Sequence, residues 1–72
     1  MTTQEVMEKI GEAQQRAGEA HRDHYIAMQA FQVACARGDY VLAQREQDAA
    51  LAAMTRYMDE LQLVTRLNRQ VT

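Results

Sequence analysis

The sequence predicts an all-α fold, in which two helices form an antiparallel hairpin that assembles into a four-helix bundle. Three observations support this prediction. Proline is absent from the 72 residues, and strong helix formers such as Ala, Gln, Glu, Arg, Met and Leu dominate. One turn signal, at residues 37–39, divides the chain into two halves of similar length. Small and apolar residues recur at alternating spacings of three and four through both halves, as in helices that pack side by side.

The first helix is predicted from about Thr3 to about Ala36. Thr2 precedes Glu5 by three residues, which is the spacing of a capping box at a helix start. Gly38 can adopt the left-handed conformation that ends many helices. These two signals set the expected limits of the helix.

Two glycines inside this range favour an alternative. Gly11 and Gly18 each cost up to about 1 kcal/mol against Ala in a helix, and a break near Gly18 would give a three-helix bundle. We favour the unbroken helix, because the apolar spacing continues through both glycines without a change of phase.

The second helix is predicted from about Tyr40 to about Arg69. Asp39 is a typical N-cap residue for its start. Arg66 and Arg69 lie near its end, where positive charge complements the helix dipole. The turn between the helices then occupies residues 37–39.

The three-four spacing predicts which residues form the seam between the helices. In the first helix these are Val6, Ile10, Ala13, Ala17, Ala20, His24, Ala27, Phe31 and Ala34. In the second they are Tyr40, Ala43, Gln47, Ala50, Met54, Tyr57, Leu61, Val64, Asn68 and Val71. A tight turn pairs Val6 with Val71, Ala13 with Val64, Ala17 with Leu61, Ala20 with Tyr57 and Ala27 with Ala50. Small residues thus face larger ones, as core packing requires, and His24, Gln47 and Asn68 are expected to fix the register.

The length and the composition indicate that this single hairpin domain, over residues 1–72, needs a partner. Ordering such a chain costs on the order of 100 kcal/mol, at roughly 1.5 kcal/mol per residue, and a small core barely offsets that cost. The single Cys35 allows no internal disulfide. Several large apolar residues fall outside the predicted seam, and contiguous exposed apolar surface usually marks an interface. We predict that the partner-binding residues are Ile26, Met28, Ala30, Val33, Leu51 and Met58.

Candidate catalytic and metal-binding groups are few. His21 and His24 are three residues apart and could supply two metal ligands, but a site needs about four and no neighbouring set completes it. Cys35 has no neighbouring base and is expected to be a small buried apolar residue. We therefore expect no catalytic residues, no metal or other cofactor, no small-molecule substrate and no enzymatic activity.

The charge and the chain start predict the compartment and exclude some partners. A net charge of −2 argues against a general nucleic-acid binder. No run of 18 apolar residues is present, which argues against a membrane span. Residues 1–10 contain acids and lack the apolar stretch of a secretory signal, so we expect a cytoplasmic protein.

Three resemblances accompany this pattern. The turn from Ala36 to Tyr40, followed by small residues at Ala43 and Ala50, resembles the inter-helix turn of a tetratricopeptide repeat. The stretch from about Ala27 to Met54, with Ala34-Cys35-Ala36-Arg37-Gly38 and Gln44-Arg45-Glu46, resembles the small co-chaperones of type III secretion systems. That resemblance implies a hairpin that binds a tetratricopeptide-like chaperone. The size and the Met-Thr-x-Gln-Glu start are similar to the Rop family of plasmid RNA-binding dimers.

These observations together predict a non-enzymatic adaptor or co-chaperone, which buries apolar helix faces against a partner protein or against itself. A Rop-like dimeric nucleic-acid-binding regulator is one alternative, and its basic edge would have to come from Arg56, Arg66 and Arg69. A small phage or plasmid inhibitor of a host protein is another.

Overall fold

The structure is a hairpin of two long helices that pack against each other. The computed structural model describes residues 1–71, and within that range it contains α1 (Thr3–Ala36), α2 (Tyr40–Val71) and no strand. The all-α hairpin is therefore confirmed. α1 has the predicted limits and runs unbroken through Gly18, so the three-helix alternative is wrong. α2 continues two residues beyond its predicted end.

The helix ends are held by the residues that the sequence singles out. The Glu5 N–H donates to Thr2 Oγ1 over 3.1 Å, and the Thr2 hydroxyl donates to the Glu5 carboxylate over 3.2 Å. At the other helix start, the Leu42 N–H donates to Asp39 Oδ1 over 3.1 Å. Each cap satisfies a backbone donor that has no partner within its own helix.

The turn is a Schellman motif built around Gly38. This glycine has φ +74°, a conformation that costs little only for a residue without Cβ. The Gly38 N–H donates to the Cys35 carbonyl over 3.1 Å, and the Asp39 N–H donates to the Ala34 carbonyl over 2.9 Å. The chain therefore reverses within three residues, which brings α2 back along α1.

Cross-helix contacts agree with the predicted register to within two residues, although Leu61 and Val71 of the predicted pairs are exposed. The Arg16–Glu60 ion pair lies one residue along each helix from the predicted pair of Ala17 with Leu61. His21 contacts Tyr57, immediately beside the predicted partner Ala20. The short turn fixes this register, because an antiparallel hairpin with no slack in its loop has one alignment.

Alanine forms most of the seam. Within residues 1–71 ten apolar residues are buried, and eight of them are alanine: Val6, Ala13, Ala17, Ala20, Ala27, Ala34, Ala43, Ala50, Ala53 and Leu67. The Cα atoms span 53 × 13 × 13 Å. Subtracting the ~4.6 Å width of one helix's Cα cylinder puts the axes roughly 8 Å apart, at the close end of the usual range. Small side chains permit this approach, so the core is thin and contains no large fully buried side chain among the described residues.

The predicted seam is confirmed on α1 and wrong on half of α2. Every predicted α1 seam position is buried or half-buried. On α2 the residues at 43, 50, 57 and 64 face α1 as expected, but the intervening positions are 46, 53, 60 and 67 rather than 47, 54, 61 and 68. Gln47, Leu61 and Asn68 are exposed, as are the end positions Tyr40 and Val71. Gln47 and Asn68 therefore lie outside the seam that they were expected to fix.

The helix rotation explains this difference. Turning α2 by one residue brings Ala53 and Leu67 into the seam and leaves Met54 at its edge. Alanine at position 53 suits closely spaced axes better than the longer methionine does. The same rotation half-buries Leu42 and Leu63, which were expected outside the seam.

Candidate protein interface

The hairpin has two flat sides, one on each flank of the seam. Arg16 and Asp23 of α1, seven residues apart, form ion pairs across to α2 on one flank. His21 lies on the other flank and packs its ring against Tyr57, with the ring centroids 5.4 Å apart. Residues seven apart lie above one another on a helix, so these contacts assign the remaining positions to one flank or the other.

The first side is named here the ion-pair face. On α1 it consists of Lys9, Glu12, Arg16, Glu19, Asp23, Ile26, Ala30 and Val33. On α2 it consists of Leu42, Arg45, Ala49, Ala52, Arg56, Asp59, Leu63 and Arg66. The half nearer the chain ends is rich in charge, and the half nearer the turn is mostly apolar.

A charged groove of about 280 Å³ occupies the middle of this face. Arg16 Nε donates to Glu60 Oε1 over 2.9 Å, and this hydrogen bond raises the pKa of Arg16 above its ordinary value. Arg56 reaches Asp23 over a longer 3.4 Å between two exposed side chains. The second carboxylate oxygen of Glu60, Oε2, is buried and accepts no hydrogen bond. The groove's two arginines therefore neutralise neighbouring acids.

The second side is named here the charge-free face. On α1 it consists of Gln4, Met7, Gly11, Gln14, Gly18, His21, Tyr25, Met28, Gln32 and Cys35. On α2 it consists of Tyr40, Gln44, Gln47, Leu51, Met54, Met58, Leu61, Thr65 and Asn68. All ten acidic and all eight basic residues of the chain lie at other positions. No cluster of ionic side chains along this side therefore opposes close packing by another protein.

Large apolar side chains are exposed along the charge-free face. These include Tyr25, Leu51, Met58 and Leu61. Gly11 and Gly18 lie on the same face, and a Cβ added at either would meet nothing within 4 Å. The α1 part of the face is thus bulky toward the turn and open at the two glycines toward the chain ends, where Met7, Met58 and Leu61 are exposed as well.

The six predicted partner-binding residues lie on different sides of the hairpin. Met28, Leu51 and Met58 belong to the charge-free face, and Ile26, Ala30 and Val33 belong to the turn half of the ion-pair face. Met28 and Ala30 are half-buried, and the other four are exposed. The six residues therefore do not form one continuous surface.

Sequence reasoning missed Tyr25 and Leu61 as members of the charge-free face. The signal was present in the absence of charge along one three-four stripe of each helix, from Gln4 to Cys35 and from Tyr40 to Asn68. Apolar content alone did not find it, because glutamine and glycine interrupt the apolar residues.

The histidines and the cysteine have separate environments. His24 is half-buried at the seam, where Nδ1 lies 3.0 Å from the Ala50 carbonyl oxygen, and a carbonyl accepts only, so Nδ1 donates. Within residues 1–71 no group of three or more His, Cys, Asp or Glu side chains could hold a metal ion. Cys35 is exposed, so the prediction of a buried cysteine is wrong; it lies beside the seam residue Ala34 rather than in the seam.

In the part of the chain that the structure describes, neither helix contains a stretch that is long and apolar enough to cross a membrane. In comparisons with known proteins, no family model, no curated protein and no solved structure matches the chain.

Proposed function

We propose that this chain is a non-enzymatic protein-binding hairpin, an adaptor or co-chaperone that buries its apolar helix faces against a partner protein or a second copy. The observation that carries the proposal is the distribution of apolar residues. The seam between the helices contains mostly alanine, while Ile26, Val33, Leu51 and Met58 are exposed. The chain thus presents its larger apolar side chains to a further surface.

Magnitudes support this interpretation. Burying one methyl-sized group contributes about 0.8 kcal/mol, whereas fully burying a Leu, Ile or Met side chain contributes about 1.5–3 kcal/mol. The alanines of the seam therefore stabilise the hairpin weakly. Burying the exposed side chains would contribute a comparable free energy, and only a second protein surface can bury them.

The accessible surface area and the radius of gyration also support the proposal. The chain exposes 5313 Å², whereas a compact protein of 8.2 kDa exposes about 4,500 Å². The radius of gyration is 16.2 Å, against about 11 Å for a compact chain of this length. An extended hairpin with excess surface is the expected form of a subunit that completes its core by association.

The resemblance of the turn region to type III secretion co-chaperones is compatible with this proposal, since those hairpins also act by binding another protein. The nucleic-acid-regulator alternative requires a basic edge that includes Arg56. That guanidinium pairs with Asp23, which does not favour the alternative.

Light scattering combined with circular dichroism on the same sample tests the proposed function. We expect either a discrete helical oligomer or a chain that becomes fully helical only when a partner is added. The proposal is wrong if the chain is a helical monomer that unfolds cooperatively, and if charged residues at both Ile26 and Leu51 change neither its mass nor its stability. That result would make both faces ordinary surface.

A further inference from the structure

The charge-free face has the composition of a covered surface along its whole length. A quarter of the chain is charged, and all of that charge lies at the seam edge, on the ion-pair face, on the outer side or at the turn. Two solvated helix stripes of about ten residues each would ordinarily carry several charges. Depletion of charge with retention of Tyr, Met and Leu is characteristic of the buried centre of a protein interface.

A second copy of this chain fits that face better than an unrelated surface does. In a two-fold dimer the same patch meets itself, so any strong charge near the axis would face its own like charge. This face carries none. A second copy also has the same 53 Å length, so it covers both stripes from end to end.

The excess exposed area of the chain agrees with the area that one partner buries in a stable dimer. The accessible surface of 5313 Å² exceeds that of a compact chain of this mass by roughly 800 Å². Each partner in a stable interface of standard size buries about 800 Å². Covering one flat side with an equal hairpin would therefore bring the exposed area per chain to that of a compact protein.

We infer that a second copy of this chain occupies the charge-free face, with the two hairpins antiparallel about a two-fold axis near the level of His21. This inference rests on the proposed function and specifies both the face and the partner. The ion-pair face remains on the outside of the resulting four-helix bundle.

The antiparallel arrangement follows from the shape of the face. On α1, Gly11 and Gly18 leave the half nearer the chain ends open, while Tyr25 and Met28, with Leu51 of α2, make the half nearer the turn the bulkier one. The half nearer the chain ends also exposes Met7, Met58 and Leu61. An antiparallel pair places the bulky half of each copy against the open half of the other. A parallel pair would crowd the bulky halves and leave a gap between the glycines, and both arrangements are unfavourable in a packed core.

A matched pair of lysine substitutions tests the face. Leu51 is 62% exposed on the charge-free face, and Ile26 is 57% exposed on the ion-pair face. Each follows an aspartate by three residues, Asp48 or Asp23, so a lysine at either position has an acidic neighbour on its own helix; Ile26 also follows Arg22 by four residues, whereas Leu51 follows the uncharged Gln47. Analytical ultracentrifugation of the full chain over a concentration series gives the dimer dissociation constant for the wild type, Leu51→Lys and Ile26→Lys.

We expect a wild-type dimer that Leu51→Lys weakens at least ~100-fold, because each dimer buries two of the introduced charges, whereas Ile26→Lys changes the constant by less than about threefold. If Ile26→Lys is the disruptive variant, the chain associates through the other face, so the inference is wrong while the proposed function stands. A wild type that is monomeric and poorly folded would also make the inference wrong while the proposed function stands, since it indicates that the chain folds on a different partner. A well-folded monomer that neither variant affects overturns both.

Cys35 reports the arrangement of the two copies. It is exposed, and it is the single cysteine of the chain, so a nitroxide label attaches at one position. It lies 14 residues beyond His21, the level of the proposed axis, so the antiparallel dimer separates the two labels by roughly 42 Å at ~1.5 Å per residue. Electron–electron resonance on a labelled dimer of unchanged mass measures this distance. A separation below about 20 Å would show a parallel pair and overturn the arrangement.

Discussion

The ion-pair face and the charge-free face belong to the same two helices but differ in the side chains that they expose to water. The ion-pair face contains Arg16–Glu60 and Arg56–Asp23 and remains compatible with solvent. The charge-free face exposes Leu51 and Met58 and contains no ion pair, so contact between this face and water is less favourable. The difference teaches that the absence of charge along a stripe separates the two faces where apolar exposure does not, since Ile26 and Val33 are about as exposed as Leu51 and Met58.

The comparison depends first on the seam that separates the two sides. Ala53 is 1% exposed in the seam, whereas its neighbour Ala52 is exposed on the ion-pair face. Ala53→Leu should lower the free energy of unfolding by about 1–3 kcal/mol, because three extra carbons must fit between closely spaced helices. Urea denaturation at fixed protein concentration measures this change. Ala52→Leu is the control and should stay within about 0.5 kcal/mol; equal effects would place the seam elsewhere.

Gly18→Met tests whether the charge-free face is covered. Nothing lies within 4 Å of the added Cβ in the hairpin, and methionine is the better helix former by up to about 1 kcal/mol. If the face is uncovered, Gly18→Met should therefore raise the free energy of unfolding of the hairpin. We expect the opposite for association, a dimer weakened about tenfold, because the new side chain fills the hollow that the second copy occupies. Sedimentation of Gly18→Met beside Gln15→Met, which lies on the outer side, separates the two results.

Glu60→Leu sharpens the comparison from the ion-pair face. Glu60 lies at the seam edge, with one oxygen bonded to Arg16 and the other buried without a partner. Replacing it should raise the free energy of unfolding by about 1 kcal/mol, because an unpaired buried oxygen is removed and Arg16 can return to solvent. Thermal unfolding of this variant beside Glu19→Leu, an exposed acid of the same groove, provides the check. Destabilisation by Glu60→Leu alone would mean that the ion pair itself holds the hairpin.

Asp23→Asn should have the smallest effect. Its carboxylate is 3.4 Å from Arg56, and both side chains are more than half exposed. Water and salt screen such a pair, so stability should change by less than about 0.5 kcal/mol. Urea denaturation at low and at physiological salt measures it. A loss above 1 kcal/mol would show that the ion-pair face is less accessible to solvent than the hairpin alone indicates.

Local signals account for the parts of the fold that were predicted. The caps at Thr2 and Asp39 and the turn at Gly38 each depend on a few adjacent residues, so the sequence identifies them directly. The α1 seam was also predictable, because one stripe of small and apolar residues continues from Val6 to Ala34, interrupted only by His24.

The candidate interface was predictable only in part. The sequence identified apolar residues outside the seam, including Leu51 and Met58, and these are exposed. It grouped them with Ile26 and Val33, which lie on the opposite side. Assigning residues to one flat side requires knowing which flank of α1 meets which flank of α2, and that is a property of the pair of helices.

The sequence by itself determined two helices, their limits to within two residues, the turn and the thin alanine seam of α1, since these follow from backbone capping and from periodicity along one chain. The tertiary structure decided the rotation of α2. Positions 46, 53, 60 and 67 compete there with 47, 54, 61 and 68, and the second set contains the larger apolar residues. Packing against α1 favours the first set, because Ala53 permits the close approach of the helices. That one-residue rotation also turned Met54 and Leu61 toward the charge-free face.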